Sequence, residues 1–168
     1  MTLSHELGHV LIGMLGGAKL IVMEIRPWHL PHSIHSADRF PSLTLWGGPV
    51  IGCALPLAAA MIFRRPAIWF VAWFCVVANS LYLLLGYFSG DPELDSTKML
   101  RSGTPGFVLV GVASIGLLIG YLRFRNCCVD LLSGKSTPGN RRVLFVSATV
   151  LIGVLTLQSI AGSLLLRL

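Results

Sequence analysis

The chain of 168 residues is long enough for one compact domain, and its composition excludes an ordinary soluble protein. Hydrophobic residues make up 54% of the sequence and charged residues 12%, and that charged share is about half of what is usual in soluble domains. The net charge of +6 comes from basic residues scattered through short connectors, without the interleaved aromatic residues of a nucleic-acid-binding face, so we expect a lipid bilayer and no nucleic acid as its partner.

The first predicted element is a short apolar helix over residues 3–16, which carries the motif HELGH at residues 5–9. From His5 to Gly17 such a helix rises only about 18 Å, which is too short to cross the hydrocarbon core of a bilayer. Either the upstream half of a crossing helix precedes this chain, or the segment enters the membrane only partway. The first alternative is favoured.

A polar region follows between Gly17 and Trp46. Its first part alternates between apolar and polar residues as a strand does, and its second part is rich in proline and turn-forming residues, so we predict a short β-hairpin at the membrane surface. Three imidazoles in this region, His29, His32 and His35, are able to bind a metal or to respond to pH. Pro31 prevents a regular helix through them, and we expect a solvated loop.

Four apolar stretches without any charged residue follow in chain order: residues 47–63, 66–90, 102–122 and 143–166. A helix needs about 20 apolar residues to cross a bilayer, so the last three qualify and the first is marginal. We therefore predict an all-α, multi-pass integral membrane protein of a bacterial-type cell membrane, with about five apolar helices and a small β-hairpin after the first. Residues 1–168 would form a single membrane-embedded domain, with a core at 1–103 and extra helices near 104–122 and 143–166.

The motif HELGH combines two imidazoles with a carboxylate at a spacing that suits a metal ion. His5 and His9 are four residues apart, so they share one face of a helix and both point at one ion. Glu6 lies beside this pair and is able to take a proton from a zinc-bound water, whose pKa the ion lowers toward about 7. Ionisable groups within a membrane helix are costly, which favours a zinc centre over an incidental cluster at a frayed helix end.

The sequence resembles the site-2 protease family of intramembrane zinc metallopeptidases. The resemblance covers roughly residues 3–103 and rests on HELGH at 5–9, on GGP at 47–49 near the start of the next apolar helix, and on GDPELDSTKML at 90–100. In that family a membrane helix carries HExxH, a small β-structure follows, and a later helix supplies an aspartate as third zinc ligand. The resemblance implies Zn²⁺ as cofactor and a membrane-spanning or membrane-associated polypeptide as substrate.

The resemblance also implies that the third zinc ligand lies within residues 90–100. Asp95 fits the family's L-D-G pattern best, although Ser96 stands where the family has glycine. Asp91 competes for the same role, and Glu93 would imply a different membrane zincin architecture. Aspartate near proline is also a common turn or helix-start signal, so the sequence leaves the choice between Asp95 and Asp91 open.

Asn79 is a polar residue inside the uncharged stretch 66–90. It would hold the backbone of a substrate, orient a ligand near the zinc, or form an interhelical hydrogen bond of the kind common in membrane proteins. Gly47, Gly48 and Pro49 are expected to let the second apolar helix start close to its neighbours.

Two classes of function follow from these residues. The first is hydrolysis of a peptide bond inside or near the bilayer, with zinc held by His5, His9 and an aspartate and with Glu6 as the general base. The second is a non-proteolytic membrane protein that retains the fold as a binding, chaperone or metal-handling module.

Overall fold

The computed structural model describes residues 1–26, 28, 29, 31–133, 152, 153, 155–157, 159 and 160. Its elements are α1 (Thr2–Leu15), β1 (Lys19–Glu24), β2 (His32–Ser36), α2 (Pro41–Phe63), α3 (Pro66–Ser89), α4 (Asp95–Arg101) and α5 (Gly106–Leu132). The described part of the chain is mostly helical with one small antiparallel sheet, as the sequence predicts.

Three of the described helices are long and apolar enough to cross a membrane: α2, α3 and α5, with 23, 24 and 27 residues. Helix α1 has 14 residues, fewer than the roughly 20 that a crossing needs. The predicted number of about five apolar helices is not confirmed, and the predicted stretch 143–166 lies largely outside the described residues. The three long helices are compatible with a membrane protein.

Two helices extend well beyond the predicted apolar stretches. Helix α2 begins at Pro41 rather than at residue 47, because proline is tolerated in the first helical turn and because Ser42 Oγ donates a hydrogen bond to the carbonyl of Ser102 at 2.8 Å. Helix α5 continues past residue 122 to Leu132, and the side chains of Arg123 and Arg125 in this extension are exposed. The start of α2 and the end of α5 therefore lie in sequence that contains polar residues.

Helices α1 and α2 cross antiparallel at a contact between two glycines. A Cβ on Gly8 would lie 2.2 Å from the carbonyl oxygen of Gly47, and a Cβ on Gly47 would lie 2.6 Å from the carbonyl oxygen of Gly8. Small residues let two helix backbones approach this closely, which is the usual way in which membrane helices pack. The contact brings the face of α1 that carries HELGH directly onto α2.

The predicted hairpin is confirmed as two paired strands. β1 and β2 are antiparallel, with Leu20 opposite His35 and Glu24 opposite His32, and with a register shift between Leu20 and Val22. The hairpin lies between α1 and α2, on the side of the molecule where α2 begins. The expected solvated loop at the histidines is wrong for His32 and His35, because β2 begins at His32 and pairs through both.

The buried core joins α3, α4 and α5. Leu83, Met99, Leu109 and Ala113 form one cluster, and Met99 and Leu109 have no exposed surface. Because α4 contributes Met99 to this cluster, the short helix is fixed across the end of α3.

Candidate metal centre

His5 and His9 lie side by side on the buried face of α1. Their exposed fractions are 4% and 5%, and their ring centroids are 4.8 Å apart with the planes nearly perpendicular. Residues four apart on a helix share one face, and the glycine crossing with α2 turns that face inward.

Both rings are oriented by oxygen acceptors on neighbouring helices. His5 Nδ1 lies 2.7 Å from Asn79 Oδ1 on α3, and His9 Nδ1 lies 2.8 Å from the carbonyl oxygen of Thr44 on α2. The amide of Asn79 is itself fixed, because its Nδ2 donates to the carbonyl of Cys75 at 2.8 Å. Since both acceptors lack a proton, each Nδ1 donates to its acceptor, which turns each Nε2 toward the point where the two rings meet.

The two Nε2 atoms converge on one carboxylate oxygen. Asp95 Oδ2 lies 2.8 Å from His5 Nε2 and 3.3 Å from His9 Nε2. In their neutral form, two imidazoles together with one carboxylate would be a donor set that suits zinc in a site with an open position.

The other acids of residues 90–100 have different partners. Asp91 is exposed, and its Oδ1 accepts a hydrogen bond from the backbone N–H of Glu93 at 3.0 Å. The side chain of Glu93 is 73% exposed and lies 3.6 Å from the Lys98 amine. Of the three acids, the structure therefore brings Asp95 to the two rings. Whether Asp95 binds zinc stays a prediction.

Asp95 owes its position to the packing of α4. It is the first residue of that helix, and the next residue, Ser96, is fully buried and donates from Oγ to the carbonyl of Leu83 on α3 at 2.7 Å. A hydrogen bond from a buried hydroxyl to a backbone carbonyl fixes one end of α4 against α3.

Gly48 forms the floor of the site. A Cβ at this position would lie 2.3 Å from His9 Nε2 and 2.8 Å from His5 Nε2. Glycine is required because any side chain would occupy the point on which the ligand atoms converge. The GGP motif thus serves two purposes: Gly47 meets the backbone of α1, and Gly48 leaves room for the imidazoles.

Glu6 lies beside the convergence point. It is 5% exposed, and its Oε2 has no hydrogen-bond partner among the described residues. One ligand atom from each of His5, Glu6 and His9 fits within 4.8 Å. A buried carboxylate oxygen without a partner is costly unless a proton, an ion or a substrate engages it, so this atom is available for chemistry.

A cavity of about 500 Å³ connects the site to the hairpin side of the molecule. Its lining includes Glu6, His9 and Asp95 together with Ser33 and His35 from β2. Ser33 Oγ and His35 Nε2 are buried without a hydrogen-bond partner in the described structure. A polar cavity of this size holds water readily.

The three histidines of the hairpin region all line this cavity. His29 and His32 are exposed, whereas His35 is half-buried with its ring against Gly13, and burial lowers its pKa. Within the part of the chain that the structure describes, the side chains close enough together to hold a metal ion are His5, Glu6 and His9 rather than these histidines.

Two residues of the site were not predicted from the sequence. Thr44 acts through its backbone carbonyl, which every residue has, so no sequence signal marks it. Tyr82 places its ring edge-on to His5, with centroids 5.6 Å apart. Its position three residues after Asn79, on the same face of α3, was the available signal.

Comparisons of the chain with protein-family models, with curated proteins and with solved structures find no match. The resemblance to site-2 proteases therefore rests on the motifs at residues 5–9, 47–49 and 90–100 alone.

Proposed function

We propose that this chain is a zinc metalloendopeptidase of the site-2 protease type, embedded in a bacterial-type cell membrane as a multi-pass protein. It would hydrolyse peptide bonds of membrane-spanning or membrane-associated polypeptides. The observation that carries the proposal is the convergence of His5 Nε2, His9 Nε2 and Asp95 Oδ2, at 2.8 and 3.3 Å, with both Nδ1 atoms held by oxygen acceptors. This is the arrangement by which histidines are oriented for a metal.

The depth of the site supports action within the bilayer. Asn79, which contacts His5, precedes the end of α3 at Ser89 by ten residues, a rise of about 15 Å. Thr44, which contacts His9, follows the start of α2 at Pro41 by three residues, a rise of about 5 Å. The ligand atoms thus lie below the ends of two helices that are long enough to cross a membrane.

The residues of the site divide the chemistry between them. Zinc, when bound, would lower the pKa of water and polarise the scissile carbonyl. Glu6 would accept the proton of the attacking water and later deliver it to the leaving amine nitrogen. Asn79 and Thr44 would keep the imidazoles aligned, and the cavity would supply water from the hairpin side.

The test compares wild type with Glu6→Gln in the full chain, purified and reconstituted in lipid nanodiscs. Zinc content is measured by elemental mass spectrometry, and cleavage is measured on a single-span polypeptide. Because glutamine keeps the shape but accepts no proton, we expect Glu6→Gln to retain zinc while cleavage falls about 10²–10⁴-fold. Asp130→Asn, at the far end of α5, is the matched control and should leave both values unchanged.

Two outcomes would contradict the proposal. Equal cleavage by wild type and Glu6→Gln would exclude Glu6 as the base. Stoichiometric zinc without cleavage of any single-span substrate would favour the non-proteolytic binding or metal-handling module.

A further inference from the structure

A second cavity, of about 590 Å³, lies at the end of the molecule opposite the hairpin. Helix α2 begins beside the hairpin and ends at Phe63, α3 begins at Pro66, and α5 ends at Leu132. These three helix ends meet around the cavity, and Arg64, Trp69, Trp73, Arg123 and Asp130 are among its lining residues. We call this cavity the arginine groove.

The charge at this end is strongly positive. Arg64, Arg65, Arg123 and Arg125 lie in the segments near this end, together with one acidic residue, Asp130. The remaining six of the seven acids precede residue 96. Among the described residues no carboxylate lies within ion-pair distance of Arg64 or Arg123. In the described part of the chain, two guanidinium groups from distant segments therefore line one groove with Asp130, and neither forms an ion pair.

The other wall of the groove is aromatic. Trp69 and Trp73 are one turn apart on α3, with stacked rings whose centroids are 5.9 Å apart. Phe124 of α5 packs on Phe70 and Phe74 of α3, with centroid distances of 4.8 and 6.0 Å, and so holds the two helices together beside the groove. Tryptophan at the ends of membrane-crossing helices is typical of the level of the lipid headgroups.

We propose that the arginine groove binds the headgroup of an anionic phospholipid. The phosphate would lie between the guanidinium groups of Arg64 and Arg123, which donate paired hydrogen bonds to phosphate oxygens. The glycerol and the upper acyl chains would pack along Trp69 and Trp73. Asp130, which also lines the groove, disfavours a multiply charged headgroup, so the ligand class is a singly charged lipid such as phosphatidylglycerol.

A lipid fits this groove better than a soluble phosphate compound does. The groove opens at the ends of three apolar helices, where lipid phosphates are concentrated. Its stacked tryptophans offer apolar surface that a free phosphate ion would not use.

The experiment measures retention of lipid by the full chain in phosphatidylcholine nanodiscs that contain a minor share of phosphatidylglycerol. Bound lipid is counted by native mass spectrometry after release from the nanodisc. Arg64→Gln and Arg123→Gln should each lower retention of phosphatidylglycerol about five-fold. Arg125→Gln is the matched control: it removes an exposed arginine from the same helix, outside the groove, and should leave retention unchanged.

A second arm adds inorganic phosphate and brominated phosphatidylglycerol, which quenches nearby tryptophan fluorescence. Quenching should weaken in Trp69→Phe and should resist millimolar phosphate. Equal losses in all three arginine variants would indicate general surface attraction and would overturn the proposal, as would displacement of the lipid by phosphate. Neither readout involves zinc or cleavage, so this proposal and the protease proposal fail separately.

Discussion

Ser96 on α4 fits into the space left by Gly86 on α3. A Cβ on Gly86 would lie 2.7 Å from Ser96 Oγ and 3.1 Å from Ser96 Cβ. The contact sets the position of the neighbouring Asp95.

The first prediction tests this contact with two single substitutions and their combination. Gly86→Ala should displace α4 and weaken zinc binding by at least about ten-fold, because the position of Asp95 shifts. Ser96→Gly should lose one buried hydrogen bond, at a cost of about 1 kcal/mol in the free energy of unfolding, with zinc binding kept. The double variant should recover the zinc affinity that Gly86→Ala loses. Zinc titration and thermal unfolding measure all three variants. If the double variant shows only the sum of the two single effects, the contact does not position Asp95.

The second prediction concerns the third ligand. Asp95→Asn keeps the size of the side chain but removes its charge, so zinc affinity should fall more than about 100-fold. Loss of a hydrogen-bond partner behind a metal ligand costs less, about 10–100-fold. Asp91→Asn is the matched control and should retain zinc, since Asp91 is exposed and accepts a hydrogen bond within its own turn. Zinc content after dialysis, measured by elemental mass spectrometry, separates the two. Retention of zinc by Asp95→Asn together with its loss in Asp91→Asn would reverse the assignment.

The third prediction tests the residue that orients His5. Asn79→Leu removes the acceptor of the His5 Nδ1 proton, so we expect zinc affinity to fall about 10–100-fold. Asn79→Asp keeps an acceptor at the same place and should retain most of the affinity. The measurement is competition against a metal-sensitive dye. Equal affinities in wild type and Asn79→Leu would mean that the hydrogen bond at 2.7 Å does not orient the ring for a metal.

The fourth prediction concerns the crossing of α1 and α2. Gly8→Ala places a Cβ 2.2 Å from a backbone oxygen that has no rotamer to change, so we expect a loss of about 1–3 kcal/mol in the free energy of unfolding. Gly111→Ala on α5 is the control, because a Cβ there meets no atom within 4 Å. Thermal unfolding in one detergent compares the two variants. Similar melting temperatures for both would contradict the close crossing.

The fifth prediction is a pH dependence in the hairpin. The Arg26 guanidinium bonds the carboxylate of Glu24 and, against the effect of burial, lowers the pKa of Glu24 from 4.5 to about 2. A carboxyl whose pKa is lower in the folded state stabilises that state above pH 4.5, and this contribution is lost as the pH falls through about 2. Carboxyl NMR should report a pKa near 2 in wild type and a value near that of free glutamate in Arg26→Gln. An unchanged pKa in the variant would exclude Arg26 as the cause.

The sequence predicted what depends on local spacing. Alternation predicted the hairpin, and the four-residue spacing predicted that His5 and His9 share a face. The apolar stretches did not predict where two helices end: α2 extends back to Pro41, where Ser42 bonds Ser102, and α5 continues to Leu132.

The choice of a candidate third zinc ligand within residues 90–100 also depends on tertiary packing that the sequence does not reveal. Asp91 and Asp95 are four residues apart, and both occur in contexts typical of turns and helix starts. What separates them is the packing of α4 through Ser96 and Met99, which depends on Gly86 and Leu83 of another helix. Likewise the carbonyl of Thr44 reaches His9 because two helices cross, and no residue type signals it.

The partners of the two imidazoles come from three different helices, and this has a consequence for the lifetime of the folded chain. An ion bound by His5, His9 and Asp95 would cross-link α1 to α4. The hydrogen bonds of the two Nδ1 atoms connect the same rings to α2 and α3. Any ion that binds the folded chain alone adds its binding free energy to stability, about 2.7 kcal/mol at a free concentration of 100 Kd. A chelator would therefore act on this protein as a mild denaturant, and the zinc supply of the cell would set how much of it survives proteolytic turnover.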